Sequence, residues 1–322
     1  MDSTVQAKSL TNSKKRKITI ENDYLKRIQQ RFAFATILIP SIASVLAIAF
    51  LGRSPIGAVQ IGLLLGMYSL TMVGIIVGFH RYFSHNAFRT HIAIRIALAV
   101  LGCMAAQGPV IQWVSNHRRH HQYSDRPGDT HSPYIYNDEG QDEGQKFSKL
   151  RGFWYAHIGW MLKGEIINSA LFAKDLIQDS TIAKINQLYF TWVMLGLAIP
   201  TVLGGILTAS WLGAWQGFLW GGIVRIFLAH HGIWCVNSIN HLYGSRPFNT
   251  GDRSTNNFWL AIPTFGGAWH HNHHAFPNSA KCGLQWWQID LGYWTIRSLE
   301  LLGLAWDVKR PTPEAIEAKR AI

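Results

Sequence analysis

IAIRIALAVLGCMAAQGPVIQWV, residues 92–114, is apolar enough to be read as a membrane span, and whether it spans decides the fold. Two histidine groups bracket it: His80 and His85 in HRYFSH before it, and His117, His120 and His121 in HRRHH after it. If the stretch crossed a bilayer, the groups would face opposite sides and no single centre could use both. Arg95 inside it, His91 at its start and the Gln107-Gly108-Pro109 break all disfavour crossing. It is therefore expected to lie in the interface or tucked against a helix bundle.

Two further groups follow, His241 in NSINH and His270, His273 and His274 in HHNHH. In HxxHH the histidines stand at i, i+3 and i+4, one face of a helix, and NSINH places Asn237 and His241 at i, i+4. His80 and His85 are about 140° apart on an ideal α-helix, so that pair is expected to straddle a helix end. Neutral imidazole is a strong ligand for borderline transition metals, and nine exceed what one ion can use, so the four groups predict a two-metal site. No ExxH occurs in the chain, so neutral donors must hold the ions. A ligating imidazole usually gives its other N–H to a carboxylate or carbonyl, which nominates Asp125, Asp129 and Asp252 as supports.

Four other stretches reach the roughly 20 residues that a bilayer requires: Phe32 to Leu51, Ala58 to Phe79, Leu188 to Leu207 and Leu212 to about Gly232. They pair into two hairpins with short loops nearly free of charge. Pro200, within the third, is tolerated where neighbours satisfy the carbonyl it frees. Basic residues lie before the first span, between the second and third, and after the fourth. By the positive-inside rule both termini and all four histidine groups are cytoplasmic. The expected fold is an all-α membrane protein: a basic tail (1–31), a transmembrane hairpin (32–79), a cap segment with the first two histidine groups (80–187), a second hairpin (188–232) and a final cap segment (233–322). The cap holds the histidine-ligated di-metal site.

Composition agrees: of 322 residues 48% are hydrophobic and only 15% charged, with 14 Trp. The net charge of +12 is uneven, concentrated in Lys14, Lys15, Arg16 and Lys17 and then Lys26, Arg27 and Arg31, either a solvated tail or an anchor on the cytoplasmic leaflet. No basic-aromatic module surrounds that cluster, which argues against nucleic-acid binding. Cys103, Cys235 and Cys282 form no CxxC and argue against disulfides and thiolate metal sites. The polar, basic N-terminus is not expected to be a removed signal peptide.

HRYFSH, HRRHH, NSINH and the HxxHH of HHNHHAFP resemble, in order and spacing, the histidine boxes of the membrane-bound fatty acyl desaturases of the stearoyl-CoA Δ9 type. The similarity runs through SDRPGDTHSP and RGFWYAHIGW and covers roughly Gly74 to Pro277. It implies a di-iron centre that uses O2 to insert a cis double bond, usually at C9–C10, into a long saturated acyl chain. Two electrons would come from an external carrier of ferredoxin, rubredoxin or cytochrome b5 type. By position, His80, His85, His117, His120, His121, His241, His270, His273 and His274 would ligate iron, and Asn237 would approach one iron through a water. Trp113 and Trp234 would line the acyl tunnel, and Arg151 would meet the substrate headgroup. Met67 or Tyr68, about three turns before His80, is expected near the tunnel's closed end.

The match also has departures. QGPVIQWVSN carries Gly108, Ser115 and Asn116 where animal acyl-CoA desaturases have polar and charged residues contacting CoA, and GGAW precedes the last box without an acidic residue. Both resemble bacterial members and leave acyl-CoA, acyl-lipid and other thioesters open as substrates. His91, His131 and His157 are set aside as non-ligands, His230 and His231 as hydrogen-bonded core groups, and His271 as off the HxxHH spacing. Arg225, within the fourth span, has no sequence-evident partner. The competing readings are a histidine-box hydroxylase and a membrane transition-metal transporter.

Overall fold

The computed structural model describes residues 17–134 and 149–321. Lys14, Lys15 and Arg16 of the basic cluster therefore lie outside the described residues. Among the described residues four helices are long and apolar enough to cross a membrane: α1 (Asp23–Ala49), α2 (Ala58–Ser84), α6 (Tyr189–Thr208) and α7 (Trp211–Leu242). Between the hairpins come α3 (Ile92–Met104), α4 (Val110–Tyr123) and α5 (Lys149–Trp154), and after them α8 (His270–Ala275) and α9 (Leu291–Leu301). Helix continues from α5 through Tyr155–Gly159 and Trp160–Leu162, and short helices lie at Ser169–Phe172, Lys174–Gln178, Ser180–Gln187 and Pro313–Ala318. Two small antiparallel pairs clip the chain together, β1 (Thr19–Ile20) with β3 (Ile166–Ile167) and β2 (Arg89–Thr90) with β4 (Ala305–Trp306).

The outer helices present apolar side chains outward. Phe34, Leu38, Ile42 and Val45 of α1 and Phe190, Met194, Val202 and Ile206 of α6 are exposed, a belt that water disfavours and acyl chains accept. α1 starts at Asp23, not at Phe32, because the Asn22 carboxamide accepts the Leu25 amide at 3.0 Å and caps the first turn. Residues 17–31 are thus not a tail: they form β1 and the first turns of α1. The fourth apolar helix likewise runs on to Leu242, well past Gly232.

The stretch 92–114 is two helices, broken at residues 105–109. At 13 residues α3 reaches only about 20 Å, too short to span. It packs antiparallel against the end of α2. A Cβ at Gly74 would stand 2.2 Å from the Gly102 amide nitrogen, and one at Gly78 would stand 2.9 Å from the Leu98 carbonyl. Only glycine lets these backbones approach so closely.

Arg225 explains how irregular backbone survives here. Its Nη1 donates to the Met104 carbonyl at 2.6 Å, at the end of α3. Its Nη2 donates to the Gly196 carbonyl at 2.9 Å. Gly196 is four residues before Pro200, so that oxygen is the one the proline strips of its helical donor. His230 bonds the Ala105 carbonyl at 2.9 Å. One buried guanidinium thus satisfies both a broken helix end and a proline kink.

Candidate metal centre

The last 11 residues of α2, Gly74–Ser84, form a π-helix. Its bonds run from i to i+5, so residues five apart come to one face. His80 and His85, the latter capping the helix, therefore meet with ring centroids 5.1 Å apart. An ideal α-helix would have separated them. α4 supplies His117, His120 and His121 from one face, α7 ends in His241, and α8 carries His270, His273 and His274.

These nine rings resolve into two buried groups. His80, His85, His117, His121 and His273 form one, and His120, His241, His270 and His274 the other. Within them, Nε2 atoms approach in pairs: His85 and His117 at 2.7 Å, His241 and His270 at 2.9 Å, His273 and His121 at 2.9 Å, His80 and His273 at 3.0 Å. Two nitrogens at right angles on one ion, each bound at about 2.0–2.1 Å, would be about 2.9 Å apart. In the second group, the Nε2 atoms of His120 and His274 are buried without any hydrogen-bond partner among the described residues. Lone pairs aimed at a common point in a buried site are what a metal ion satisfies, so the residues fit two ions.

Three carboxylates stand behind the second group. Asp129 bonds His120 Nδ1 at 2.9 Å, Asp125 bonds His241 Nδ1 at 2.9 Å and Asp252 bonds His274 Nδ1 at 2.8 Å. Each bond leaves Nε2 as the free donor atom of its ring. Burial alone would raise Asp125 and Asp252, but His241 and His274 hold these carboxyls well below the usual range. Burial, followed by the charge of neighbouring imidazoles, keeps His117, His121, His270 and His273 well below the usual histidine value, and His85 is pushed down to about 3. Neutral imidazoles and ionised carboxylates are the protonation states that bind metal.

A cavity of about 90 Å³ leads to this centre, lined by Gln29 and Phe32 of α1, Trp113, Trp160, Trp234 and Asn237. It shares Trp113, His117, His131, Ile233 and Asn237 with a smaller pocket bounded by His80, His120 and His270. The Trp113 ring stacks on His117 at 5.3 Å, so the cavity wall touches the metal-binding face directly.

Residues 53–306 match the family model described as fatty acid desaturase. The chain belongs to the fatty acid desaturase family. It is 52% identical to a hex-5-enoyl-[acyl-carrier protein] acetylenase of Moorena producens (strain JHB), over 99% of each chain. It is 36% identical to an sn-1 stearoyl-lipid 9-desaturase of Anabaena variabilis, over 77% of this chain and 84% of that one. It is also 36% identical to an icosanoyl-CoA 5-desaturase of Limnanthes douglasii, over 80% and 68%. The protein is thus a multi-pass membrane oxidoreductase acting on fatty acyl chains.

In this desaturase the nine box histidines, Trp113, Trp234 and Asn237 converge on one end of the bundle. Arg151 stands on α5, exposed and outside the cavity lining. Met67 is buried within the bundle, whereas the Tyr68 hydroxyl reaches the Pro263 carbonyl. His271 bonds Phe248 and Ser254 and joins neither histidine group. Sequence reasoning missed the Arg81–Asp290 pair that locks the π-helix to α9, and the partners of His157 and His231, which bond each other while His157 also bonds Ser238 beside Trp234. It also missed α1 as a cavity wall, for which the polar Gln29 just before the span was the available signal.

Proposed function

We propose that this chain is an O2-dependent desaturase that holds two iron ions on its nine histidines and unsaturates an acyl chain lying between Trp113 and Trp234. The observation that carries this reading is the pair of histidine groups beside a tryptophan-lined cavity in a bundle of membrane-length helices. Iron bound there supplies the reductive O2 activation needed to remove hydrogens from an unactivated chain. The protein's own groups set the position of attack: Trp113 and Trp234 hold the chain, and Asn237 stands beside His117 in the cavity wall. The histidine-bearing end and both termini face the cytoplasm, where an external carrier delivers two electrons, in line with the basic loops on that side.

The first substrate reading is a long saturated acyl chain, as CoA thioester or acyl-lipid, receiving a cis double bond at C9–C10. A second is favoured by the 52% end-to-end identity with the acetylenase: a shorter acyl chain carried on acyl carrier protein. Tyr68 bears on chain length. Tyr68, Met72 and Ile76 share one face of α2 at i, i+4 and i+8, and Ile76 reaches the metal pocket. Tyr68 therefore lies about 12 Å from Ile76 along the axis, where its hydroxyl bonds Pro263 and its ring meets Phe265. That closure limits how far a chain can extend.

The test is expression in a desaturase-deficient host, comparing the wild type with His120→Ala by mass spectrometry of lipids and of acyl carrier protein. Unsaturated product from the wild type alone is expected, and its length, bond position and carrier separate the two substrate readings. A hydroxylated product would overturn desaturation, and metal uptake without acyl product would favour transport.

A further inference from the structure

The two metal positions are not built alike. At the four-histidine position, His120, His241 and His274 each give Nδ1 to a carboxylate, respectively Asp129, Asp125 and Asp252. At the five-histidine position, no carboxylate among the described residues is bonded to any of the rings. The Nδ1 atoms of His80 and His273 there are buried with no hydrogen-bond partner among the described residues.

We propose that this difference ranks the positions: the carboxylate-backed one binds its ion first and tightly, and the five-histidine one loads second and exchanges its ion. The inference rests on the di-metal reading above. A carboxylate on Nδ1 fixes the tautomer, holds the ring in place and makes Nε2 a stronger donor, commonly worth about 10–100-fold in metal affinity per partner. Three anions beside one ion also offset its charge in a site whose ligands are otherwise neutral. The fifth histidine of the other position adds a donor. However, Nδ1 of His80 and Nδ1 of His273 have no partner among the described residues to hold their rings in a binding orientation. Asp125, Asp129 and Asp252 thus act as positioning residues whose effect is selective for one ion. The asymmetry also leaves the five-histidine ion the more exchangeable of the two.

The full chain in detergent, stripped of metal and titrated with Co²⁺ against a chromophoric chelator, tests this with metal counting alongside. Two steps separated by at least about 10-fold are expected in the wild type. Asp252→Asn should weaken the first step by about 10–100-fold and leave the second nearly unchanged. His85→Ala should weaken only the second. Two ions binding in one step, equal weakening of both steps by Asp252→Asn, or loss of the tight step in His85→Ala would each overturn the ranking while sparing the di-metal reading. Fewer than two ions on the wild type would overturn both. The wild-type titration and His85→Ala decide the matter even if Asp252→Asn does not fold.

Discussion

His274 Nδ1 lies 2.8 Å from the Asp252 carboxylate, while Nε2 of the same ring is buried with no partner. The ring is held from behind and offers its other nitrogen to the site. Stripping the metal should therefore leave several buried imidazoles unsatisfied. The chain should melt at a lower temperature after chelation and recover on adding either Fe²⁺ or Zn²⁺, since binding to the folded state alone stabilises it. Only Fe²⁺ should restore acyl turnover, because zinc binds imidazole but has no redox chemistry. Turnover with zinc alone would contradict the proposed chemistry.

The same groups set a pH dependence. Burial and the neighbouring imidazoles push His85 from its usual 6.5 down to about 3, and hold His117, His121, His270 and His273 well below the usual value. Below pH 6.5 the unfolded chain takes up protons that the folded chain refuses, so stability is fully present above that value and declines as pH falls toward 3. Asp125 and Asp252, also held low, add to the loss below the ordinary carboxylate range. Melting temperature measured from pH 8 to pH 5 should fall steadily below about 6.5. A flat profile would show that these imidazoles are not held neutral.

Arg81 and Asp290 form a fully buried ion pair at 2.7 Å, but their environments differ. The Asp290 carboxylate also accepts the amides of Tyr293, Cys282 and Gly283. Asp290→Ala leaves a buried guanidinium charge with only the Ala280 carbonyl, and the Cys282, Gly283 and partly buried Tyr293 amides without their acceptor, and should cost about 3–5 kcal/mol. Arg81→Met leaves an anion that still has three donors and should cost clearly less. Equilibrium unfolding of the two variants in detergent measures the difference, and equal losses would refute the asymmetry.

Tyr68→Ala removes the hydroxyl bonded to Pro263 and the ring packed on Phe265. If this contact closes the acyl tunnel, the variant should accept chains longer by several methylenes, each contributing about 0.8 kcal/mol of burial. The product chain-length profile from a mixed acyl pool reads this out. A profile identical to wild type would place the tunnel end elsewhere.

The local patterns were legible in the sequence by themselves: four apolar runs of spanning length, and HxxHH and NxxxH spacings that put ligand-type side chains on helix faces. Requiring every histidine group on one side correctly kept 92–114 from being a span. Sequence also nominated Asp125, Asp129 and Asp252, but not their partners. Asp125 serves His241, 116 positions away, while Asp129 serves His120, 9 positions before it, because chain reversal decides which ring each carboxylate meets. The π-helix that aligns His80 with His85 could not be read from an α-helical period. Nor could Arg225 be matched to the carbonyl that Pro200 frees, since 29 residues and a helical hairpin separate Arg225 from Gly196. Side-chain type and spacing, being local, set what the nine histidines can bind. Only the packing of distant helices decided how they divide into two groups, and that carboxylates among the described residues support just one of them.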